Sequence, residues 1–177
     1  LEEADHGIGQ AYAQDPSRAL NSADKETPMS IPDSLKAAQG DWSGEARLHL
    51  HEEPIRTSPS RASVALVAGG KFVSINYDWV YEGARQEGLL LLGLEAPDGP
   101  ATASYIDSWH MGDKLMACTG SAANGIVTVR GTYQVEGYPD WGWRIDVANN
   151  PALRVVMYNV SPEGEEYLGF ELDFQGR

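Results

Sequence analysis

Val73-Ser74-Ile75-Asn76-Tyr77-Asp78-Trp79-Val80-Tyr81 decides the fold class. Large apolar side chains at 73, 75, 77, 79 and 81 alternate with Ser74, Asn76 and Asp78. A period of two gives one dry and one wet face only in an extended strand. Strands of that kind belong to antiparallel sheets that cover a core on one side.

The same period recurs on both sides of this stretch. Trp42, Gly44, Ala46, Leu48 and Leu50 alternate with Ser43, Glu45, Arg47 and His49. Val127, Val129, Tyr133 and Val135 alternate with Thr128, Arg130, Thr132 and Gln134. Trp141, Trp143, Ile145 and Val147 oppose Gly142, Arg144 and Asp146, while Leu168, Phe170, Leu172 and Phe174 oppose Tyr167, Gly169, Glu171 and Asp173. Gly69-Gly70, Asp98-Gly99-Pro100, Met111-Gly112-Asp113, Asn124-Gly125 and Pro162-Glu163-Gly164 supply turn chemistry between such runs. With strands near 62–68, 86–94, 101–110, 114–120 and 153–160, the count reaches about ten, joined by connections of hairpin length. An up-and-down sheet of that size closes into a barrel, which removes its edges, and its inner face can enclose a small ligand. The expected fold is therefore all-β, a single antiparallel barrel over residues 31–177 with a short N-terminal helix.

That helix is expected over 31–39, with Pro32 in its first turn and Gly40 as its stop. Ile31, Leu35 and Ala38 share one of its faces. Residues 1–30 are rich in Ala, Asp, Glu and Ser and read as an arm with one short helix around Ser17–Ser22. The arm holds too few large apolar groups to add much to a core.

Composition excludes several functions. The 177 residues carry a formal net charge of -13, which repels nucleic acid and anionic membranes at long range. No run is long enough to insert into a membrane; Leu89 to Leu92 is short and bracketed by Gly88 and Gly93. Cys118 is the only cysteine, so neither an internal disulfide nor a cysteine-cluster zinc site can form. Ala11-Tyr12-Ala13 has the form of a leader cleavage site, but an acidic stretch precedes it rather than an apolar one. A cytoplasmic protein is expected, with a removed leader still compatible. A homo-oligomer is left open.

Tyr105-Ile106-Asp107-Ser108-Trp109-His110-Met111-Gly112-Asp113 concentrates the chemistry. Strand alternation places Asp107 on the same side as Tyr105 and Trp109, an ionisable group among rings. The same parity sends His110 outward with Ser104, Ile106 and Ser108. Tyr77, Trp79, Tyr105, Trp109, Tyr133, Trp141 and Trp143 are the candidate cavity wall, and a solid aromatic core is the plainer alternative. Asp107 is then a buried acceptor for a Tyr hydroxyl or Trp indole, an orienting group for a ligand's polar end, or a general base. Arg130 and Arg144 are expected in solvent on polar faces. His49 and His51, near Glu52 and Glu53, straddle a strand end and loop, and read as solvated surface rather than a metal site. Cys118 reads as a small core residue.

Gly40-Asp41-Trp42-Ser43-Gly44, after a short helix, resembles the Gly-x-Trp signature of the calycin superfamily of lipocalins, fatty-acid-binding proteins and nitrobindin-like haem barrels. Trp79 to Gly93, Tyr105 to Met111 and the C-terminal strands more specifically resemble the bacterial family of unknown function DUF1579, over roughly residues 31–175. The resemblance implies a calycin-like barrel with Trp42 at its closed end and brings no established activity. It also offers Trp42 as a stacking partner for Arg144, as in lipocalin-like barrels. Nitrobindin-like barrels hold haem through a late histidine, whereas no histidine follows His110 here. No cofactor is expected.

Two principal functions fit these residues. The first is a barrel that binds a small apolar or aromatic molecule. The second is a cofactor-independent lyase, isomerase or cyclase, with Asp107 and Tyr105 as acid and base in the same cavity. A third is a solid barrel that engages a protein partner through its outer surface or its arm.

Overall fold

The computed structural model describes residues 31–176. The expected arm, with its helix near 17–22, lies outside the described residues. Ten strands form one closed antiparallel barrel: β1 Gly40–Leu48, β2 Arg56–Val67, β3 Phe72–Tyr81, β4 Ala84–Leu94, β5 Pro100–Asp107, β6 Met116–Ala123, β7 Ile126–Tyr133, β8 Trp141–Asn149, β9 Leu153–Val160 and β10 Glu166–Gly176. Each strand pairs with the next in sequence, and β1 pairs with β10 to close the ring. This is the expected all-β architecture.

The one helix among the described residues, α1 (Asp33–Ala37), is shorter than expected. Ile31, Leu35 and Ala38 on its face are completely buried. Trp42 Nε1 donates to Ala38 O at 2.7 Å, and Asn149 Nδ2 donates to Ser34 O at 2.7 Å. These bonds tie α1 across the end of the barrel where β1 begins, so Trp42 sits at the closed end as expected. Up-and-down connectivity sends the β1–β2, β3–β4, β5–β6, β7–β8 and β9–β10 connections to the opposite end. That end is the mouth.

The alternation of side chains is obeyed closely on β3, where Val73, Ile75, Tyr77 and Trp79 are buried. Gly88, their inward neighbour on β4, stands opposite both Tyr77 and Asp107 in the sheet. A Cβ there would lie 2.1 Å from the Tyr77 ring. The missing side chain is what lets the phenol of Tyr77 cross β4 to reach Asp107. Gly88→Ala should therefore lower unfolding free energy by about 1–3 kcal/mol, the usual cost of overpacking. A urea titration with an unchanged midpoint would show that the ring has room to move.

Of the departures from strict alternation, two overturn an expected facing. A bulge between Leu168 and Phe170 in β10 inserts Gly169 into the ladder with β9. It turns Leu168 out, 36 % exposed, against the expectation that it lies inward with Phe170. The second departure is at the end of β5, and it builds the site.

Candidate functional site

β5 ends at Asp107 because the Asp107 side chain captures the backbone beyond it. Asp107 Oδ1 accepts the backbone N–H of Trp109 at 2.8 Å and of His110 at 2.9 Å. Asp107 O accepts from Met111 N at 2.9 Å, closing one helical turn. Aspartate commonly starts turns in this way, by bonding its own backbone two or three residues on. Ser108 anchors the other side of the turn, with Oγ donating to Gln86 Oε1 at 2.7 Å and accepting from Glu87 N at 3.0 Å.

Past Asp107 the period of two no longer holds, and this corrects the expectation for His110. The turn rotates His110 into the barrel, where its side chain is 9 % exposed. Its ring lies among Trp109, Phe170, Trp143 and Trp79, with centroid separations of 4.7, 5.0, 5.3 and 5.8 Å. Trp109 also points inward, through the turn rather than through strand alternation. It packs on Trp79 at 5.8 Å and Tyr81 at 5.2 Å.

His110 Nδ1 lies 3.1 Å from Asp107 Oδ1. Asp107 Oδ2 accepts the Tyr77 hydroxyl at 2.7 Å, and Tyr77 lies 3.5 Å from the Tyr105 hydroxyl. Burial pushes the Asp107 carboxyl up, but the His110 ring, the His110 N–H and the Tyr77 hydroxyl together hold it below its ordinary value. Asp107 is thus an anion with donors on both oxygens. A carboxylate facing Nδ1 requires the proton there, which leaves the Nε2 lone pair free. Burial first, then the neighbouring tyrosine and carboxylate, raise the Tyr77 phenol well above its usual range. Burial and Asp107 do the same for Tyr105. Both phenols keep their protons.

The face of His110 away from Asp107 looks into a pocket at the mouth. Its inner lobe, about 230 Å³, is lined by Leu48, Leu50, Trp109, Met111, Tyr133 and Trp143, among others. An outer lobe of about 490 Å³ shares His110, Met111, Met116 and Tyr133 and reaches Lys114 and Asp140 at the rim. Polar groups are few in the inner lobe. Besides His110 they are Asn159, which accepts from the Tyr133 hydroxyl at 2.7 Å, and His49, bonded to Glu171 at 3.0 Å. The Trp143 indole N–H is buried and has no acceptor among the described residues. A larger open groove of about 780 Å³ runs along β2–β5. It is lined by charged side chains that pair with one another, such as Arg85 with Asp78 and Glu87, and by Trp42, Tyr77 and Asp107, so that two of the expected site residues border this groove rather than the mouth pocket.

The expected wall residues divide accordingly. Trp109, Tyr133 and Trp143 line the mouth pocket, whereas Tyr77, Trp79, Tyr105 and Asp107 lie behind His110 in the packed interior. Trp141 does neither: it is half-buried at the start of β8 against the exposed ring of Tyr167, 6.4 Å away. Arg144 does not stack on Trp42. Its guanidinium lies 3.8 Å over the Tyr158 ring and pairs with Asp146 and Glu166. Nor is it solvated, its side chain being 17 % exposed. His51 is in solvent as expected, but His49 is largely covered on Glu171, which Arg154 also pairs. No group of three or more metal-binding side chains occurs among the described residues.

Cys118 is buried on the inner face, and burial pushes its thiol up to about 11. A disulfide reagent should label it slowly in the folded protein and rapidly in urea. Equal rates in both would contradict its burial. Among the described residues no helix is long and apolar enough to cross a membrane.

His110, Met111 and Asn159 carry no mark as site residues in the sequence pattern, and Phe170 and Tyr81 are marked there only as positions on the dry face of their strands. For His110 a signal existed, the turn-forming Asp three residues earlier with Gly112 after it.

The model of a family described as "Protein of unknown function (DUF1579)" matches residues 27–175. No curated protein matches the sequence. Among solved structures, the crystal structure of Rv2717c from M. tuberculosis is similar with a TM-score of 0.56 at 10 % identity. The match covers 83 % of this chain and 99 % of that one, a likeness of fold alone.

Proposed function

We propose that this chain, which belongs to the DUF1579 family of proteins of unknown function, binds a small apolar or aromatic molecule in the mouth of its barrel. The observation that carries this reading is the mouth pocket, an apolar and aromatic wall around one unpaired imidazole nitrogen. Sites for small molecules are typically of this composition, with burial supplying affinity and a few polar groups supplying orientation. Trp109, Tyr133 and Trp143 hold the ligand's body and His110 its polar end. Tyr77, Trp79, Tyr105 and Asp107 act from behind by fixing His110, and Trp141 has no part. The assignment to the calycin superfamily belongs to the same proposal, supported by Trp42 at the closed end beside α1. So do the division at residue 30, a cytoplasmic setting and the absence of a nucleic-acid partner, the last supported by the net charge of -13.

The test is fluorescence titration with nitrobenzene, which quenches tryptophan on contact. Saturable quenching is expected in the wild type. Trp109→Ala should weaken it roughly tenfold, about what 50 Å² of ring face provides at about 25 cal/mol per Å². Linear, non-saturating quenching would count against a site.

The enzymatic reading moves to a different residue. Asp107 does not line the mouth pocket, where His110 stands in front of it, and Tyr105 is completely buried away from that pocket. The group placed to take a proton from a bound molecule is His110 Nε2, with Asp107 orienting the ring.

A further inference from the structure

We infer that the mouth pocket is selective for ligands with an acidic hydroxyl on an aromatic or apolar body, phenols above all, and binds them as the anion with the proton on His110. The inference rests on the binding reading above and adds the chemical class of the ligand.

Three features of the site point to it. First, Asp107 fixes the tautomer: in the neutral ring, with Nδ1–H committed at 3.1 Å, Nε2 is the acceptor. A ligand that offers a donor gains a hydrogen bond there, and one that offers only an acceptor is held by burial alone. Second, the carboxylate lies directly behind the ring and is itself held as an anion by Tyr77 and two backbone N–H groups. A proton arriving on Nε2 creates an imidazolium whose charge Asp107 offsets across one hydrogen bond, as the carboxylate does in a Ser-His-Asp triad. Third, the wall beside His110 is aromatic, with the Trp109 and Trp143 rings 4.7 and 5.3 Å from the His110 ring, which suits an aromatic body carrying the hydroxyl.

The transfer is balanced within the complex. The ligand's O–H bond breaks and its electron pair stays on oxygen, while the proton forms an N–H bond at Nε2. The net charge of the complex is unchanged, and two opposite charges are left in contact within an apolar enclosure, where their attraction is least screened.

The other titratable groups around His110 do not replace it in this role. Tyr133, on β7, donates to Asn159. His49, at the end of β1, is engaged with Glu171 of β10. Tyr77, on β3, acts through Asp107. Lys114 and Asp140 border only the outer lobe. Tyr105, on β5, is completely buried behind the ring.

The experiment compares 4-nitrophenol, whose visible absorption reports its ionised form, with nitrobenzene, which has no proton to give. In the wild-type full chain, bound nitrophenol should ionise at least one pH unit lower than in buffer, about a tenfold gain in the anion at fixed pH. His110→Phe keeps the ring packing, and Asp107→Asn keeps the imidazole. Both should lose the ionisation shift, and saturable nitrobenzene quenching in each variant, whatever its affinity, shows that the pocket is still formed. Nitrobenzene bound with nitrophenol remaining neutral would overturn this inference and leave the binding reading standing. A shift that survives in His110→Phe would overturn it as well. If neither compound binds, the binding reading fails and the inference falls with it. Asp107→Asn separates a positioning role from a merely structural one, because only the former moves the absorption of the bound probe.

Discussion

Asp107→Ala is expected to lower the free energy of unfolding by about 3–5 kcal/mol, the usual cost of breaking a buried ionic network from one side. Four donors converge on this carboxylate: the Tyr77 hydroxyl, the N–H groups of Trp109 and His110, and His110 Nδ1. Alanine strands all of them where the side chain was completely shielded from solvent. It also removes the group that ends β5, so the turn carrying Trp109 and His110 loses its anchor. Asp107→Asn keeps one oxygen for the two backbone donors and should cost less, about 1–2 kcal/mol. The pH dependence has a definite sign. The Asp107 carboxyl is held below its ordinary value in the folded state, so its stabilisation is present above that value and lost as pH falls through the folded one. The gap between wild type and Asp107→Asn should be flat near neutrality and close below about pH 4. Urea titrations across pH measure this. A loss below about 1 kcal/mol in the alanine variant would contradict the network.

Phe170→Ala is the second large effect, with an expected loss of about 3–5 kcal/mol. Phe170 is completely buried and touches the Trp79, His110 and Tyr77 rings, with centroids at 4.7, 5.0 and 6.4 Å. Removing its ring leaves a void beneath His110, adjoining the mouth pocket. The same variant should therefore admit larger apolar probes than the wild type does, even as it becomes easier to unfold. Loss of stability without any change in the accepted probe size would show that the void is sealed from the pocket.

These effects centre on the part of the molecule where the sequence was hardest to read. The barrel itself was legible because the physics is local. A strand with one dry face repeats every two residues, and β3 carries that pattern almost without exception. Asn124-Gly125 marked its hairpin because both residues tolerate positive φ, and they adopt 54° and 78°. The helix was legible from Pro32 and Gly40, although its ends were set too wide.

The site was legible only as far as Asp107. Tyr77, Trp79 and Tyr105 face inward because they stand on regular strands. His110 was placed on the wrong side because parity was extended past the residue that ends it. A side chain that bonds its own backbone changes the period from two to that of a helical turn, and every residue beyond it rotates. Trp141 failed for the opposite reason. Its parity matches that of Trp143, but at the first position of β8 the wall is no longer continuous, and its neighbour is Tyr167. Leu168 needed knowledge of the bulge at Gly169, which depends on the partner strand. Arg144 and Glu171 were obscured by pairing on the outer surface, where charged side chains from three strands cover one another.

Whether a ligand sits in the mouth against His110 can be read by following side-chain nitrogens in a ¹⁵N NMR titration with 4-nitrophenol. Saturable shifts of His110 Nε2 and of the Trp109 and Trp143 indole N–H groups are expected. The Trp42 indole, bonded to Ala38 O at the closed end, should stay still. Saturable binding that moves Trp42 and leaves His110 untouched would contradict a ligand in the mouth.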